Sequence, residues 1–287
     1  MKAIFERELK VYFTNVSGYI FGIFVLIFAG IYTMVINLKA GYPNFEVVLS
    51  NMSFIFPVAV PLLTMRSIAE ERRQKTDQLL YSLPISMTKV ILGKYLAMLI
   101  VILVPIIVMC AYPLILSQYG AVNFKAAYGS LLGFFFLAGT LASIGIFVSS
   151  LTENQAVAAG LCFTLMLLLY FLSALADTMS ASAASSFIAL VVIVFIVSLM
   201  IQFITKNTLV SASILIILEA VLLAVYVFMP TKLEGLVPGV LNKLSLFERF
   251  YTFTDGVFDI TSLVYFLTMS GVFIFLSVQS LEKRRWS

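Results

Sequence analysis

Apolar stretches long enough to cross a bilayer recur along almost the whole chain, separated by short polar connections. They run approximately Ser17 to Leu38, Glu46 to Met65, Val90 to Ser117, Ala127 to Ser150, Ala156 to Ala176, Ser186 to Thr205, Leu209 to Met229 and Ile260 to Ser280. A helix of about 20 apolar residues spans the roughly 30 Å hydrocarbon core and satisfies its own backbone hydrogen bonds. The pattern therefore predicts an all-α polytopic membrane protein with about eight transmembrane helices. A soluble fold could not hide this surface, since 62% of the 287 residues are hydrophobic and 11% charged, against roughly 45–50% and 25% in soluble domains. The 26 Phe and 13 Tyr lie in long apolar runs, not in the roughly ten-residue alternating segments of a barrel. Ala181 to Ser186 is a small-residue hinge, so residues 1–287 are expected to form a single transmembrane domain.

Several chemistries are excluded early. The chain has no His, which removes imidazole bases and His metal ligands. Cys110 and Cys162 sit in apolar runs with neither a neighbouring thiol nor metal-ligand spacing, and free Cys favours burial. Residues 1–16 are too charged, and lack the small-residue cleavage site, to read as a signal peptide. No cofactor, metal or nucleic-acid partner is expected; the lipid bilayer is the surrounding partner.

Charge placement sets orientation. With both termini in the cytoplasm, the inner segments hold Lys2, Arg7, Lys10, Arg66, Arg72, Arg73, Lys75, Lys89, Lys206, Lys283, Arg284 and Arg285, with Lys94 just inside a span. The outer ones hold Lys39, Lys125, Lys232, Lys243 and Arg249. The positive-inside rule then fixes that orientation and supports an even number of spans, for a multi-pass protein expected in the cytoplasmic membrane with both termini cytoplasmic. In residues 1–16, Phe5, Leu9, Tyr12 and Phe13 recur at helical spacing opposite Lys2, Glu6 and Lys10, the pattern of an interfacial amphipathic helix. An ordinary charged lead-in is the plainer alternative.

The densest charge lies in residues 66–89, RSIAEERRQKTDQLLYSLPISMTK. Ser67 and Glu70 have capping-box spacing, and Arg66–Glu70, Glu71–Lys75 and Arg73–Asp77 are four apart, predicting a short charged helix. Ile68, Leu79, Leu80 and Leu83 supply apolar contacts, and Pro84 ends the segment. Such a projection offers a partner both polar contacts and buried anchors, although a solvated loop that merely fixes topology carries the same charges.

AEERRQKTDQLLYSLPIS with ILGKYLA, FVSSLTENQAVAAGL at Phe147 to Leu161, LSLFERFYTFTDGVFDITSLVYFL and the terminal LEKRRW together resemble ABC type-2 exporter permeases of the kind related to GldF and NosY. The resemblance implies a type V exporter-like fold with residues 186–229 as one inserted helix pair, since such permeases commonly have six spans. It implies that residues 66–89 couple to an ABC ATPase subunit, through Glu70, Glu71, Arg72, Arg73, Thr76, Leu79, Leu80, Leu83 and Pro84. Gly93 and Lys94 match the start of the third span. Lys75 departs from the pattern, standing where relatives often have Gly. Glu153, Asn154 and Gln155, in the short turn between the fourth and fifth spans, would be a second contact, or only a helix-helix turn. The resemblance also implies a homodimer or a paired homologue, an auxiliary GldG-like membrane protein, and re-entrant or interfacial helices over residues 230–259.

Glu219 lies inside the seventh stretch, where a charge costs about 2.5–3.5 kcal/mol on insertion scales; it is either a functional acid or a neutral, hydrogen-bonded one. Pro57 and Pro61 should kink the second span and Pro105 and Pro113 the third; the resemblance implies that the second and fifth spans help line the path, which makes Asn51, Ser53 and Pro57 candidates for a pathway lining as well as for simple packing. No phosphate-binding G-x-x-x-x-G-K-[ST] loop occurs, so ATP would be bound by a partner and the chain is not expected to be an enzyme. The function expected is a permease subunit coupling a partner's ATP hydrolysis to export. An ATP-coupled scaffold or mechanotransmitter and an ion-coupled secondary transporter are the alternatives.

Overall fold

The computed structural model describes residues 1–76, 86–205 and 208–285, and among these every regular element is helical. Among the described residues, six helical segments are long and apolar enough to cross a membrane: Ser17–Lys39, Phe45–Arg73, Met87–Leu116, Phe124–Leu151, Gln155–Thr178 and Ile260–Arg284. The chain divides into two compact units, Met1–Tyr170 with Arg249–Ser287, and Phe171–Glu248.

In the first unit, α1 (Lys2–Thr14) turns into α2 (Ser17–Tyr32) through Val16, whose φ of 62° is left-handed. The second span consists of α3 (Phe45–Met52), a 3₁₀ turn (Ser53–Ile55), α4 (Phe56–Thr64) and α5 (Ala69–Arg73). The third is α6 (Met87–Met109) and α7 (Ala111–Leu116), the fourth α8 (Phe124–Leu151), the fifth α9 (Gln155–Thr178) and the last α14 (Ile260–Arg285).

The expected kinks have the expected causes. The second span breaks into its 3₁₀ turn just before Pro57, which occupies the first turn of α4, where a missing N–H is tolerated. The third breaks at Cys110, between Pro105 and Pro113. One irregularity has no proline: the first span ends in a π-helix over Thr33–Lys39. There the Asn37 amide donates to the carbonyls of Tyr42 and Asn44 and ties down the following loop.

Helix α8 is the axis of this unit. Gly133, Ala138, Gly139, Ala142, Ser143 and Gly145 are buried along it, and such small residues allow the close approach that drives helix association in lipid. At Gly145 a Cβ would run into Thr64 of α4. On the opposite side, α14 is joined by Thr140 Oγ1, which donates to the Phe266 carbonyl at 3.2 Å and accepts from Ser270 Oγ at 3.2 Å.

The second unit holds the stretch expected as an inserted pair. Helices α10 (Ala183–Thr205) and α11 (Thr208–Phe228) pack together, and Phe187 stacks on Tyr226 with ring centroids 4.7 Å apart. Between Ala212–Phe228 and the following Pro230–Leu244 the chain bends by 111°, so this bent pair makes a seventh span only if counted as one; Ala183–Leu199 forms a shorter apolar helix. Among the described residues the span count is thus six to seven by length and composition; eight were expected. Helices α10 and α11 are 23 and 21 residues long, so each has the length of a span. Residues 230–259 fold as a 3₁₀ turn (Pro230–Lys232), α12 (Leu236–Leu244) and α13 (Leu246–Thr254). The part of α13 that belongs to the first unit wedges Phe250 and Phe253 against α8, with Phe250 5.9 Å from Phe134 and the Phe253 carbonyl accepting from Ser130 Oγ.

Candidate functional site

The charged segment after the second span starts and stops by identifiable means. Ser67 does not cap it: the N-cap position is Ile68, with no side-chain cap of its own. Instead Ser149 Oγ of α8 accepts from the backbone N–H groups of Ile68 and Ala69, at 3.2 and 3.1 Å, and donates to the Met65 carbonyl. A hydroxyl has one donor and two acceptor sites, so all are used. This serine belongs to the FVSSLTENQ run and gives that run a physical task, holding the bend between the second span and the segment. The helix ends in a Schellman motif: Thr76 N–H reaches the Glu71 carbonyl and Lys75 N–H the Arg72 carbonyl, with Lys75 left-handed at φ 56°. That position favours glycine, and here a lysine occupies it.

The early stop changes the pairing expected from spacing. Lys75 has left the helix, so Glu71 does not meet it. Glu71 Oε1 instead accepts from Lys94 Nζ at 2.9 Å and Arg7 Nη2 at 2.7 Å. Glu8 Oε1 faces the same two cations at 3.2 and 2.6 Å. Lys94 is the hub, only 2% exposed, and its third donor goes to the Ser67 carbonyl at 2.8 Å. Three ammonium donors thus meet three acceptors, and two cations balance two carboxylates. Burial opposes the Arg7 charge, but the hydrogen bonds and charges of Glu8 and Glu71 outweigh it and raise its pKa further. The neighbouring Tyr12 hydroxyl is also pushed above its ordinary range, by burial first and then by these carboxylates.

The network joins three elements. Helix α1 packs on the start of α6, where Ile4 lies over Gly93 so closely that a Cβ there would press on it. The packed face of α1 is Ile4, Glu8 and Tyr12, while Phe5, Leu9 and Phe13 are half-buried and Lys2 pairs with Glu6. A polar cavity of about 340 Å³ sits among these elements, with Arg7, Glu8, Lys94, Glu70 and Glu71 in its wall.

Arg72 and Arg73 face the other way, whereas Arg66 stays in the wall of the first cavity. Arg72, Arg73 and Lys75 line a second cavity, of about 480 Å³, with Glu153 and Asn154. The two stretches expected to meet a partner, residues 66–89 and 153–155, are therefore adjacent. Arg72 is buried, Arg73 and Lys75 are exposed, and Gln155 is half-buried at the start of α9. The last helix joins them: Arg284 Nη1 meets Glu153 Oε1 at 2.7 Å and Ser280 Oγ donates to the Ser150 carbonyl. The hydrogen bond and charge of Arg284 hold the Glu153 carboxyl below its ordinary range.

Among the expected site residues, Glu70, Glu71, Arg72, Arg73, Thr76, Glu153, Asn154 and Gln155 come together at this end, whereas Leu79, Leu80, Leu83 and Pro84 lie outside the described residues. Ser53 is buried, donates to the Ser50 carbonyl and lies 3.3 Å from the Tyr251 hydroxyl. Asn51 is exposed and bonds back to Val47, and Pro57 is buried in packing. Glu219 is half-buried on α11 and belongs to neither cluster. Among the described residues no group of three or more His, Cys, Asp and Glu could hold a metal ion. Sequence spacing missed Arg7, Glu8, Lys94 as a hub, Ser149 and Arg284; a lysine just inside a span, which must find partners, was the available signal.

Comparison with curated proteins finds none that matches the chain. A family model described as ABC-2 family transporter protein matches residues 3–179, about three-fifths of the chain and most of the elements that build the charged end. The chain is a multi-pass membrane protein of the ABC-2 transporter family, a permease subunit of the kind served by an ABC ATPase.

Proposed function

We propose that this chain is the membrane-spanning subunit of an exporter, driven by a separate ATPase that docks on the charged end. The observation that carries the reading is the two-sided construction of residues 69–76. The acidic side is locked into the bundle through Lys94 and Arg7, and the basic side is presented beside Glu153 and Asn154. A segment that only fixed topology would not need a buried lysine as its anchor. A lever does, because displacement of its outer face must reach α6 and α1 instead of being absorbed by bending. ATP-driven closure of the partner would push this face and shift the balance between inward- and outward-open bundles.

On this reading the charged end and both termini are cytoplasmic, the host membrane is the cytoplasmic membrane, and two permease subunits, identical or homologous, share the pathway. A GldG-like membrane protein is an auxiliary partner to look for. Ion-coupled transport is the weaker reading, because it wants several paired charges at the bilayer centre, and the buried ion pairs here gather at one end of the spans. The test is purification of the tagged chain from its own host. The account expects an ATP-binding subunit in the eluate and nucleotide hydrolysis by the pair; transport by the chain alone, with no ATPase present, would overturn it.

A further inference from the structure

The charged end divides its charges by direction. Glu70 and Glu71 face the cavity shared with α1, while Arg72, Arg73 and Lys75 face the cavity shared with the 153–154 turn. Of these, Arg73 and Lys75 are exposed and Arg72 is buried; among the described residues the carboxylate beside them in this cavity is Glu153, already engaged by Arg284. Glu153 and Arg284 remain 61% and 41% exposed, so their pairing leaves both accessible to a partner. The end of α14 is fixed there by Ser280 on the Ser150 carbonyl, and Lys283 extends it exposed.

We infer that the end of α14 is a third wall of the docking surface, with Arg284 as its contact residue, and that the ATPase segment entering the groove is acidic. This rests on the proposed ATPase docking and specifies its chemistry. Complementary charge speeds encounter and excludes wrong partners more than it adds affinity, and rim contacts of this kind weaken as salt screens them. Neutralising Glu153 should therefore do no harm to docking, while reversing the exposed Arg73, Lys75 or Arg284 should.

The experiment uses the tagged full-length chain in detergent, with the ATP-binding subunit that co-purifies from the host as probe, at low and high salt. Expected are a more than tenfold loss of co-purified ATPase in the Arg73→Glu, Lys75→Glu double variant, a several-fold loss in Arg284→Glu, and retention in Arg284→Lys. Glu153→Gln should match the wild type within about twofold, and release should rise with salt. If Glu153→Gln and Arg284→Glu lose the ATPase equally, Arg284 acts only through its ion pair and the inference falls. It falls also if binding ignores salt and charge sign. Should the wild type bring down no ATPase, the docking reading fails as well, whereas retention in every variant leaves that reading standing and removes this one. Arg284→Gln, milder than the reversal, separates lost docking from lost folding, with monodisperse elution as the control.

Discussion

Two ion clusters at one end of the molecule use similar residues in opposite ways. Around Lys94 the core of the cluster is enclosed, at 2% exposure for the lysine and 8% and 19% for Glu8 and Glu71, with Arg7 on its rim at 50%; at Glu153–Arg284 both partners are on the surface, 61% and 41% exposed. Burial makes the first cluster a joint. Breaking a buried pair strands a charge and costs about 3–5 kcal/mol, whereas exposed pairs generally contribute little. The second cluster keeps its charges accessible, which suits contact with another protein.

The sharpest way to break this contrast is at the hub. Lys94→Met should cost about 3–5 kcal/mol and lower the thermal midpoint in detergent strongly. Lys94→Met with Glu8→Gln and Glu71→Gln should recover part of the loss, because no carboxylate is then left uncompensated. A stable Lys94→Met single variant would mean that the joint is not held by charge. Next comes the hydroxyl that holds the bend: Ser149→Ala orphans two backbone N–H groups and should cost about 1–3 kcal/mol, read as a lower midpoint and faster amide exchange at Ile68 and Ala69.

Smaller effects are expected on the exposed side. Lys75→Gly removes a left-handed non-glycine residue and should stabilise the segment by up to about 1 kcal/mol, although it also removes one docking cation; a fall in stability would contradict the Schellman end. Glu153→Gln should leave the thermal midpoint unchanged. Because the folded Glu153 pKa is depressed, its contribution is present above the ordinary glutamate range and is lost only as pH falls through the lower folded value. Titration from pH 8 to about 5.5 should therefore leave the Arg284 contact intact, by infrared or by crosslinking.

The sequence made the spans readable because hydrocarbon demands uninterrupted apolar helices, and the kinks because Pro57, Pro105 and Pro113 remove donors at known places. Residues 66–76 stood out by charge. Their pairing did not follow from spacing, since the four-residue rule assumes a helix that continues, and this one stops at Lys75. Glu8 and Lys94 are far apart in sequence, so only the packing of α1 on Gly93 brings them together. Ser149 escaped for the same reason: a cap supplied from another helix leaves no local signature. The backbone turns by 111° after Phe228, next to the end of the seventh apolar stretch at Met229.

Position-specific crosslinking tests the central claim most directly. Single cysteines replace Arg73, Asn154 or Tyr119 in a Cys110→Ser, Cys162→Ala background, and the co-purified ATPase is probed with a short bifunctional reagent. Tyr119 is 79% exposed in the connection on the far side of the third span. The account predicts crosslinks from positions 73 and 154 and none from 119; crosslinks from 119, or silence at 73 and 154 with the ATPase bound, would contradict it.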